Sequence, residues 1–555
     1  MGPFPLIFVL VLAITSATSQ ARQSSTPAVT NPFLGPADFQ LSQFAATHPN
    51  GDSLRTTDGA GNPLPSNTAS LAISNRGPLL FDNVLANKLA SFHRERIPER
   101  IVHAKGHGAF GHFVVTHDVS RFTKAKVFNR VGKITPVLVR FSGTVRESGG
   151  AETLPDPRGF AIRLYTEDGN LDFPGLQIDA FTLRDPMLFP DLIRSMKRNP
   201  ETHLIDQTQF HDFLSLRPEV LHNYVKFFAD SVRAGSSRGM NGSAVNVYEC
   251  VNAQGQVTYC KFVWHTWQSI PPLTDFDTVS LAGVEPDFYT KELYNSIAQG
   301  NFPKWTFGLQ VMTYDQAESL SFNPFDVTKV WRLDQFPFIP IGVFVLDKNP
   351  TDYFTQIEQA AFCPTFVPGI RTSPDRILQA RAFAYKDAQR YRLGPNFELI
   401  EVNRPLSRAD GYERDGSMRI SAKDNGDGGP VYFPNSFKGP RIDRDMGTEG
   451  PHPINGIMAR IDSRDEDNFS QPREYLEKDV GTEEKVRIAT RIATVLASVS
   501  VPEVRLRVLT NCIAPLGTEF YQLVAGALQT ISAGGPPNYN LPINPPAYSN
   551  LLLEQ

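Results

Sequence analysis

Alternating apolar and polar residues mark the middle of the chain as rich in β-strands. Phe160, Ile162 and Leu164 take every second position of the run 160–165, which is the period of a half-buried strand. Similar runs lie at 134–141, 245–250, 257–267 and 308–314. Helical patterns separate some of them, at 191–198 and 217–230. This succession predicts an α+β fold in which an antiparallel barrel carries inserted helices.

The regions on either side of this middle part have different patterns. Residues 20 to about 80 are rich in Ser, Thr, Asn, Gly and Pro and predict an extended arm without its own core. Residues from about 350 to 465 carry much Pro, Gly and Asp and predict a long wrapping segment. The predicted parts are an N-terminal arm at 20–100, a barrel at 101–348, a wrapping segment at 349–464, a C-terminal helical domain at 465–530 and a loose tail at 531–555.

The clearest helical pattern lies near the C-terminus. Thr482 is a suitable cap for its start, and Glu483 and Glu484 follow in the first turn, where acidic side chains interact favourably with the helix dipole. The apolar residues of this segment fall on one helical face, at Ile488, Ile492, Val495, Leu496 and Val499. The pattern predicts an amphipathic helix that packs through this face.

The N-terminus has the pattern of a secretory signal peptide at residues 1–19. Leu6 to Ile14 form an apolar run of suitable length, too short for a bilayer span of roughly 20 residues. Ala17 to Ser19 are small residues at the expected cleavage positions, although no Lys or Arg precedes the apolar run. A buried helix is the alternative. The C-terminal Leu-Leu-Glu-Gln is not a peroxisomal address. We predict a protein that is secreted or enters the secretory pathway, with no membrane span after signal removal.

Composition adds little to this picture. The 555 residues are 41% hydrophobic and 20% charged, with a formal net charge of −4, so no bulk basic field for nucleic acid and no polybasic membrane address is present. The 39 Phe and 44 Pro indicate aromatic cavities and long irregular stretches rather than a helical bundle. Asn241 and Asn468 begin Asn-X-Ser triplets, which are glycosylation acceptors if the chain is exported.

The cysteines do not indicate a disulfide framework, since only four occur in the whole chain, at Cys250, Cys260, Cys363 and Cys512. Cys250 and Cys260 flank a predicted hairpin whose turn is Asn252 to Gly255. Pairing about that turn sets Val247, and not Cys250, opposite Cys260. A cross-strand disulfide is therefore not expected in this hairpin.

Candidate chemistry begins with four closely spaced histidines, at positions 103, 107, 112 and 117. Their spacings of four, five and five match no zinc motif, and no cysteine lies nearby. Taken singly, each of these histidines is expected to have a structural role.

Two further groups of polar residues carry possible chemistry. Arg381 and Tyr385 are four residues apart and share one face if the segment is helical. A fixed cation beside a tyrosine favours the phenolate, which can ligate ferric iron; a surface Arg–Tyr pair is the alternative.

Arg140 and Arg158 lie on predicted strands in apolar surroundings. Arginines there suit the capture of carboxylates, with ordinary ion pairing as the alternative.

Together and in this order, these residues resemble the monofunctional haem catalases. Phe92 to Gly106, with the sequence Phe-His-Arg-Glu-Arg-Ile-Pro-Glu-Arg-Ile-Val-His-Ala-Lys-Gly, resembles the haem-distal motif of that family. Arg381 to Tyr385, with the sequence Arg-Ala-Phe-Ala-Tyr, resembles its proximal motif. The resemblance runs from about residue 53 to about residue 529. Further matching segments lie at 123–128, 156–160, 165–170, 197–200 and 322–326.

The resemblance implies the catalase fold, with an eight-stranded antiparallel β-barrel around haem b and a homotetrameric assembly. It implies that His103 is the distal acid–base residue and that Ser142 is its hydrogen-bond partner. It implies that Tyr385 is the axial iron ligand, kept ionised by Arg381, since tyrosine is the axial ligand known for catalases. The other positions that it assigns are Arg100, Val102, Arg140, Phe189 and Arg392 around the haem and Asp156 in the peroxide channel.

One departure from the family pattern concerns the distal pocket. The family places an Asn that hydrogen-bonds to peroxide directly after a Gly, and here Leu176 follows Gly175. Leucine cannot donate a hydrogen bond, and Gln177 is expected to point to the other side of the strand. Losing one polar contact to the transition state costs roughly 1–3 kcal/mol, or about one to two decades in rate. The loop residues Gly143, Thr144 and Arg146 also differ from the family.

A second departure concerns the nicotinamide-nucleotide site that some catalases carry. The matching positions keep few of the expected aromatic, basic and imidazole groups, and His222 and Asn241 alone would not hold the nucleotide. NADPH is therefore not an expected cofactor. The altered positions are Lys226, Ser231, Val263, His265 and Leu333.

Three functions remain open at this point. The first is dismutation of hydrogen peroxide outside the cell or in the secretory pathway. The second, suggested by Leu176 and the altered channel, is a catalase-related haem enzyme that acts on organic hydroperoxides or as a peroxidase. The third is a haem-binding protein with little catalysis, which the presence of His103, Tyr385 and Arg381 disfavours.

Overall fold

The computed structural model describes residues 34–443, 457–535 and 537. The predicted signal peptide at 1–19 lies outside the described residues, as do the first part of the arm and most of the predicted tail. Within the described ranges, no helix is both long enough and apolar enough to cross a membrane.

The arm carries only short elements before the barrel begins. Its segments are helix α1 (Gln40–Thr47), strands β1 (Ala72–Ile73) and β2 (Arg76–Pro78), and helix α2 (Asn83–Phe92). None of the residues in these four elements is a buried hydrophobic one. These four elements of the described part of the arm therefore bury no hydrophobic side chain.

Eight strands form a closed antiparallel barrel, which confirms the predicted fold class. The remaining strands are β3 (Gly106–Val115), β4 (Ile134–Gly143), β5 (Arg158–Thr166), β6 (Gly169–Leu176), β7 (Gly242–Ser243), β8 (Tyr248–Val251), β9 (Val257–Thr266), β10 (Lys304–Met312), β11 (Ile339–Lys348) and β12 (Ile370–Arg371). Their order round the barrel is β10, β11, β3, β4, β5, β6, β7 and β9, and β9 pairs again with β10. Strands β8 and β12 extend the sheet beyond β9.

Aromatic side chains fill the barrel interior. Phe160 on β5 contacts Phe141, Trp264 and Trp305, with ring centroids 4.5, 5.3 and 5.5 Å apart. Offset and edge-to-face pairs of this kind stabilise a core beyond the area that they bury. The apolar positions of the run 160–165 thus face inward, as the alternation predicts.

The other face of the same strand is buried too, which the alternation does not show. Arg163 is 3% exposed and donates to both carboxylate oxygens of Asp172, at 2.7 and 2.6 Å, and to the carbonyl of Val402 at 3.0 Å. The Tyr165 hydroxyl donates to the same Val402 carbonyl at 2.7 Å. The polar face of β5 therefore binds the segment around Val402.

Helices are inserted between strands and form a separate layer at the C-terminus. The described helices that follow the arm are α3 (Phe189–Met196), α4 (Gln207–Leu216), α5 (Leu221–Phe227), α6 (Asp275–Val284), α7 (Phe288–Ala298), α8 (Tyr314–Ser319), α9 (Arg376–Leu393), α10 (Ser470–Glu474), α11 (Thr482–Ala497), α12 (Pro502–Val508) and α13 (Thr518–Ser532). The apolar face predicted near the C-terminus is buried in a cluster with residues of α4, α5 and α13. One detail was wrong: Gly481 precedes the first helical residue, and Thr482 makes no capping hydrogen bond.

Other boundaries also differ from the sequence pattern. The run 245–250 forms a strand only from Tyr248, because Val245 has a φ of 67°, which breaks an extended conformation. The run 308–314 belongs to a strand that begins earlier, at Lys304. The helical run 217–230 contains only the seven residues of α5 as α-helix.

The hairpin between β8 and β9 contains a disulfide, so the expectation for Cys250 and Cys260 was wrong. Asn252 N–H bonds to the Gln256 carbonyl, at 3.1 Å, and this turn, one residue longer than predicted, sets Tyr248 opposite Cys260. A register change of one residue moves side chains to the other face of a strand. Both cysteines therefore share a face, with Cα atoms 6.3 Å apart.

Candidate active site

The centre of the site is Ser142 on strand β4. It pairs with Gly106 of β3 on one side and with Gly159 of β5 on the other. A Cβ atom on Gly159 would meet the Ser142 hydroxyl and would lie 2.6 Å from His103 Nδ1. Glycine at 159 therefore provides the space in which His103 reaches Ser142.

His103 lies just before β3 in an uncommon backbone conformation, with a φ of 66°. Its N–H donates to the Thr144 carbonyl at 2.9 Å, and its carbonyl accepts from Arg140 Nη1 at 3.0 Å. Its ring Nδ1 lies 3.0 Å from the Ser142 hydroxyl oxygen. A left-handed residue costs conformational energy and is held by its surroundings. Here the two backbone contacts fix the direction in which the imidazole points.

The His103 imidazole is neutral at physiological pH. Burial first, and then the cations of Arg140 and Arg381, lower its pKa to about 3. A neutral ring with one nitrogen bonded to Ser142 keeps the other nitrogen for a substrate. This is the state that a proton-transferring base requires.

A cavity of about 1030 Å³ opens beside His103 and also reaches Tyr385. This volume is at the upper limit of ordinary cofactor and ligand pockets. Phe181 and Phe189 lie against it with their rings stacked at 6.4 Å. The other inner walls are formed by apolar residues, among them Val102, Leu176, Leu192 and Ile193.

Leu176 ends strand β6 and lines this cavity. The neighbouring Gln177 instead donates through its side-chain amide to the Ser231 carbonyl at 2.6 Å. The expectation that Gln177 points away from the distal pocket is therefore confirmed. At this end of β6, the side chain that faces the cavity is therefore the apolar one of Leu176.

Asp156 lines the same cavity near His103. Its carboxylate accepts the backbone N–H of Val145 at 3.0 and 3.1 Å and that of Arg146 at 3.3 Å. Burial raises the pKa of the Asp156 carboxyl above its usual value. A Cβ atom on Gly143 would lie 2.8 Å from Asp156 Oδ2, so this loop packs closely around the carboxylate.

Helix α9 brings Tyr385 to the cavity. Asp375 caps the helix by accepting the Leu378 N–H at 2.9 Å. One turn apart on the helix, Arg381 Nη2 donates to the Tyr385 hydroxyl oxygen at 3.0 Å. Arg381 also donates to Asn246 Oδ1, and the Asn246 amide donates to Asp375 at 2.9 Å. A continuous hydrogen-bonded chain thus holds the guanidinium against the tyrosine.

Three further arginines gather close to this site. Arg100 and Arg392 both donate to the carbonyls of Glu358 and Ala360, and Arg140 lies beside them. Burial and the neighbouring Arg100 lower the pKa of both Arg140 and Arg392 to about 9. Glu358 is the carboxylate that pairs with Arg100 and Arg392, at 3.2 and 3.7 Å. This cluster carries excess positive charge that suits further carboxylates.

These features fit the haem that the resemblance predicts. The cavity has apolar walls for a flat ring, and a tyrosine with a cation beside it is a suitable donor to ferric iron. The arginine cluster suits the two carboxylates of haem, and the Nε atom of Arg140 is buried without a hydrogen-bond partner among the described residues. The residues present therefore fit the group.

The structure thus brings the sequence-predicted residues into one region. His103, Val102, Phe189, Asp156, Arg381 and Tyr385 line the cavity, Ser142 bonds to His103, and Arg100, Arg140 and Arg392 form the adjacent cluster. The other histidines of the motif lie elsewhere. Those at 107 and 112 contact Glu152 and Asp347, and the one at 117 contacts Thr116.

Sequence reasoning missed four positions of the site. Gly159 gave no signal of its role, because its contact with His103 crosses 56 positions of sequence. Asn246 lies in the run 245–250, and Glu358 lies in the Pro-, Gly- and Asp-rich part of the chain; neither pattern indicates a contact with the site. Asp375 could have been found, since an aspartate directly before a helical run predicts a cap.

The two glycosylation triplets have different surroundings. Asn468 is 4% exposed, and its Oδ1 accepts from Arg184 Nη2 at 2.6 Å, so a glycan cannot be attached to it in the folded chain. Asn241 accepts the Thr266 N–H through its side chain at 3.0 Å.

Comparison with known proteins gives the following similarities. A family model described as Catalase matches residues 57–439. The catalase of Mus musculus is 46% identical over 461 residues, covering 82% of this chain and 87% of the relative. Catalase-2 of Caenorhabditis elegans is 44% identical, covering 83% and 92%. A solved fungal catalase has a TM-score of 0.83 at 37% identity, covering 86% of this chain and 97% of that chain. Catalase A from Saccharomyces cerevisiae has a TM-score of 0.82 at 36% identity, covering 86% and 99%.

Proposed function

This chain belongs to the catalase family, and we propose that it dismutates hydrogen peroxide, with His103 as the proton-transferring residue and Tyr385 as the residue that would hold the iron of haem b. Family and fold support the overall reaction, in which two molecules of hydrogen peroxide give two of water and one of oxygen. The observation that carries the residue assignment is geometric. His103, fixed against Ser142, and Tyr385, fixed against Arg381, line one cavity.

The proton transfers belong to His103 in this proposal. When Nδ1 donates to the Ser142 hydroxyl oxygen at 3.0 Å, Nε2 keeps its lone pair for the substrate. Nε2 accepts a proton from one oxygen of hydrogen peroxide and returns it to the other, which enables that second oxygen to leave as water. Haem, when bound, supplies the iron that exchanges electrons with peroxide. Arg381 holds the Tyr385 oxygen in position for that iron.

The test is oxygen evolution from hydrogen peroxide by the haem-loaded protein and its His103→Asn variant. We expect the rate to fall by roughly two to four decades, because the variant lacks the proton acceptor. His117→Asn is the matched control, since His117 is exposed and its ring bonds, among the described residues, only to the Thr116 hydroxyl. Haem content is measured in parallel. A His103→Asn variant that keeps the parent rate would contradict the assignment.

A second candidate function is suggested by Leu176. Its apolar side chain lines the cavity, where the family has a hydrogen-bond donor, and this favours organic hydroperoxides. Hydrogen peroxide can then serve as reductant: ROOH and H2O2 give ROH, H2O and O2. We expect Leu176→Asn to raise the dismutation rate by about one to two decades, while the apolar control Leu176→Val leaves it near the parent value. Equal rates in all three proteins would show that no donor is needed.

Secretion is the proposed location, supported by the apolar run at 6–14 and the small residues after it. The Cys250–Cys260 disulfide is consistent with it, because disulfides persist in oxidising compartments. A tagged full chain and a chain lacking residues 2–19 are expressed in parallel. We expect catalase activity in the medium only from the full chain; activity retained inside the cells by both would contradict the proposal.

We also propose a homotetramer with haem b and without NADPH. Large apolar side chains of the arm are exposed, including Leu54 at 81%, Phe81 at 67% and Phe92 at 64%, which is typical of surfaces that partners cover.

The proposed absence of NADPH is supported by Lys226, which pairs with Asp179 at 2.6 Å and is thereby less available to a nucleotide. Light scattering is expected to give four chain masses, and extraction of the purified protein is expected to yield haem b and no NADPH.

A further inference from the structure

The hydroxyl group of Ser142 can take part in its contact with His103 in two ways. It lies 3.0 Å from the ring Nδ1 atom, and a hydroxyl can either donate or accept. If Ser142 donates to Nδ1, the ring proton is on Nε2, and that nitrogen cannot accept a proton from hydrogen peroxide. Only donation from Nδ1 to Ser142 gives His103 the tautomer that the proposed reaction requires.

Donation from Nδ1 leaves the proton of Ser142 in need of an acceptor. Ser142 is 8% exposed, and in the part of the chain that the structure describes its hydroxyl bonds to no group other than His103. A buried donor without a partner costs free energy, and this cost favours the opposite direction of the contact. The tautomer of His103 therefore depends on what accepts the Ser142 proton.

A small cavity of about 20 Å³ lies beside Ser142. This volume is large enough for one water molecule and too small for an organic ligand. Gly143 and Gly150 form part of its wall. A Cβ atom on Gly143 would lie 2.8 Å from Asp156 Oδ2, so the absence of a side chain at this position leaves room beside the carboxylate. Ser142 and Asp156 both line the cavity and can bind the same small molecule.

The groups around this cavity are suited to holding a water molecule. Arg158 pairs with Gly143 across strands β4 and β5 and is 5% exposed. Its Nε atom is buried without a hydrogen-bond partner among the residues described, and so is that of Arg146. Asp156 accepts the backbone N–H groups of Val145 and Arg146, and its carboxylate oxygens have further lone pairs. Donors and an acceptor thus remain for a buried water, which typically makes about three hydrogen bonds.

Most other polar side chains of the cavity wall bind neighbouring side chains instead. His107 Nδ1 lies 3.1 Å from Glu152 Oε1, and its Nε2 lies 2.8 Å from the Ser237 hydroxyl oxygen. Lys105 pairs with Asp287. These contacts make the four wall residues among them less available to a molecule in the cavity.

We infer that this cavity holds one ordered water molecule, which accepts from the Ser142 hydroxyl and the Arg158 guanidinium and donates to Asp156. Because the water takes the Ser142 proton, the Ser142 oxygen accepts from Nδ1, and Nε2 keeps its lone pair for the substrate. Ser142, Asp156 and Arg158 are thereby positioning residues for the proton of His103. The inference rests on the proposed function, in which Nε2 accepts a proton from hydrogen peroxide.

The first test is diffraction from crystals of the haem-loaded protein. X-ray data are expected to show a water within hydrogen-bond distance of both Ser142 Oγ and the Asp156 carboxylate. Neutron data from the same protein are expected to place the ring proton of His103 on Nδ1. Absence of that water in the parent protein, or a ring proton on Nε2 alone, would overturn the inference.

The second test is oxygen evolution by a variant whose cavity is filled. Ala151 lines the cavity, and the two additional carbon atoms of Ala151→Val take the volume of one water. We expect the rate to fall about tenfold, because the Ser142 proton loses its acceptor, while haem content stays at the parent level. Gly149→Ala is the matched control, since a Cβ atom there would have no neighbour within 4 Å; its rate is expected to equal that of the parent.

A double-mutant cycle with Ser142→Ala separates this role from a merely structural one. If the water acts through Ser142, Ala151→Val is expected to cause little further loss of rate in the Ser142→Ala protein. Multiplication of the two losses would contradict the inference, as would the parent rate in Ala151→Val. A parent protein that evolves no oxygen would reject the proposed function instead, and the proton and water positions would still be read from the crystals.

Discussion

Gly159 shows how closely the distal residues depend on a single missing side chain. A Cβ atom at this position would lie 2.6 Å from His103 Nδ1 and would also meet the Ser142 hydroxyl. We expect Gly159→Ala to displace the imidazole and to lower oxygen evolution about a hundredfold, the usual cost of misplacing a reacting group by 1 Å. Haem content is expected to stay at the parent level, because Gly159 does not line the haem cavity.

Gly283→Ala is the control for this prediction. Gly283 lies on α6, and a Cβ atom there would have no neighbour within 4 Å, so activity should equal that of the parent. If Gly159→Ala evolved oxygen at the parent rate, the contact between His103 and Ser142 would not matter for the reaction.

The hairpin of β8 and β9 is the element whose stability depends most directly on a covalent bond. Its disulfide joins residues separated by 10 positions, and closing a loop of this size stabilises a fold by about 2–3 kcal/mol. The double variant Cys250→Ser and Cys260→Ser is expected to lose about that much stability, measured by denaturant unfolding. A reducing agent should lower the midpoint of the parent and leave that of the double variant unchanged. The same response in both proteins would contradict the prediction.

At the scale of the whole molecule, buried neutral histidines make the stability depend on pH. Burial lowers the pKa of His211 and His265 to about 4 and that of His222 to about 3. The unfolded chain binds protons near pH 6.5, and the folded chain does not. Stability is therefore fully present above about pH 6.5 and falls as the pH decreases towards 4. The thermal midpoint is expected to be higher at pH 7 than at pH 5.

His265→Phe tests this pH dependence on one group. His265 Nδ1 is buried without a hydrogen-bond partner among the described residues, so its removal breaks no polar contact there. Each such histidine contributes about 1.4 kcal/mol per pH unit below the unfolded pKa. The variant is therefore expected to lose less stability between pH 7 and pH 5 than the parent does. An unchanged loss would show that His265 is not neutral in the folded state.

Patterns in the amino-acid sequence predicted four of the eight barrel strands, β4, β5, β9 and β10, and the resemblance to catalases assigned the proposed distal and proximal residues. Alternation predicts β4, β5 and β9, because each strand must bury one face against the aromatic core. Arg381 and Tyr385 could be paired from sequence, since residues four apart on a helix are neighbours. Such features depend on local spacing, and local spacing is visible in the sequence.

The tertiary structure alone decided the contacts between distant segments. The disulfide depends on a one-residue difference in the turn at Asn252, which sequence patterns do not resolve. The contact of Gly159 with His103 and the bond from Arg381 to Asn246 both join parts of the chain that are far apart in sequence. Closure of the barrel decides these contacts, because it fixes the strand register and thereby which side chains share one face.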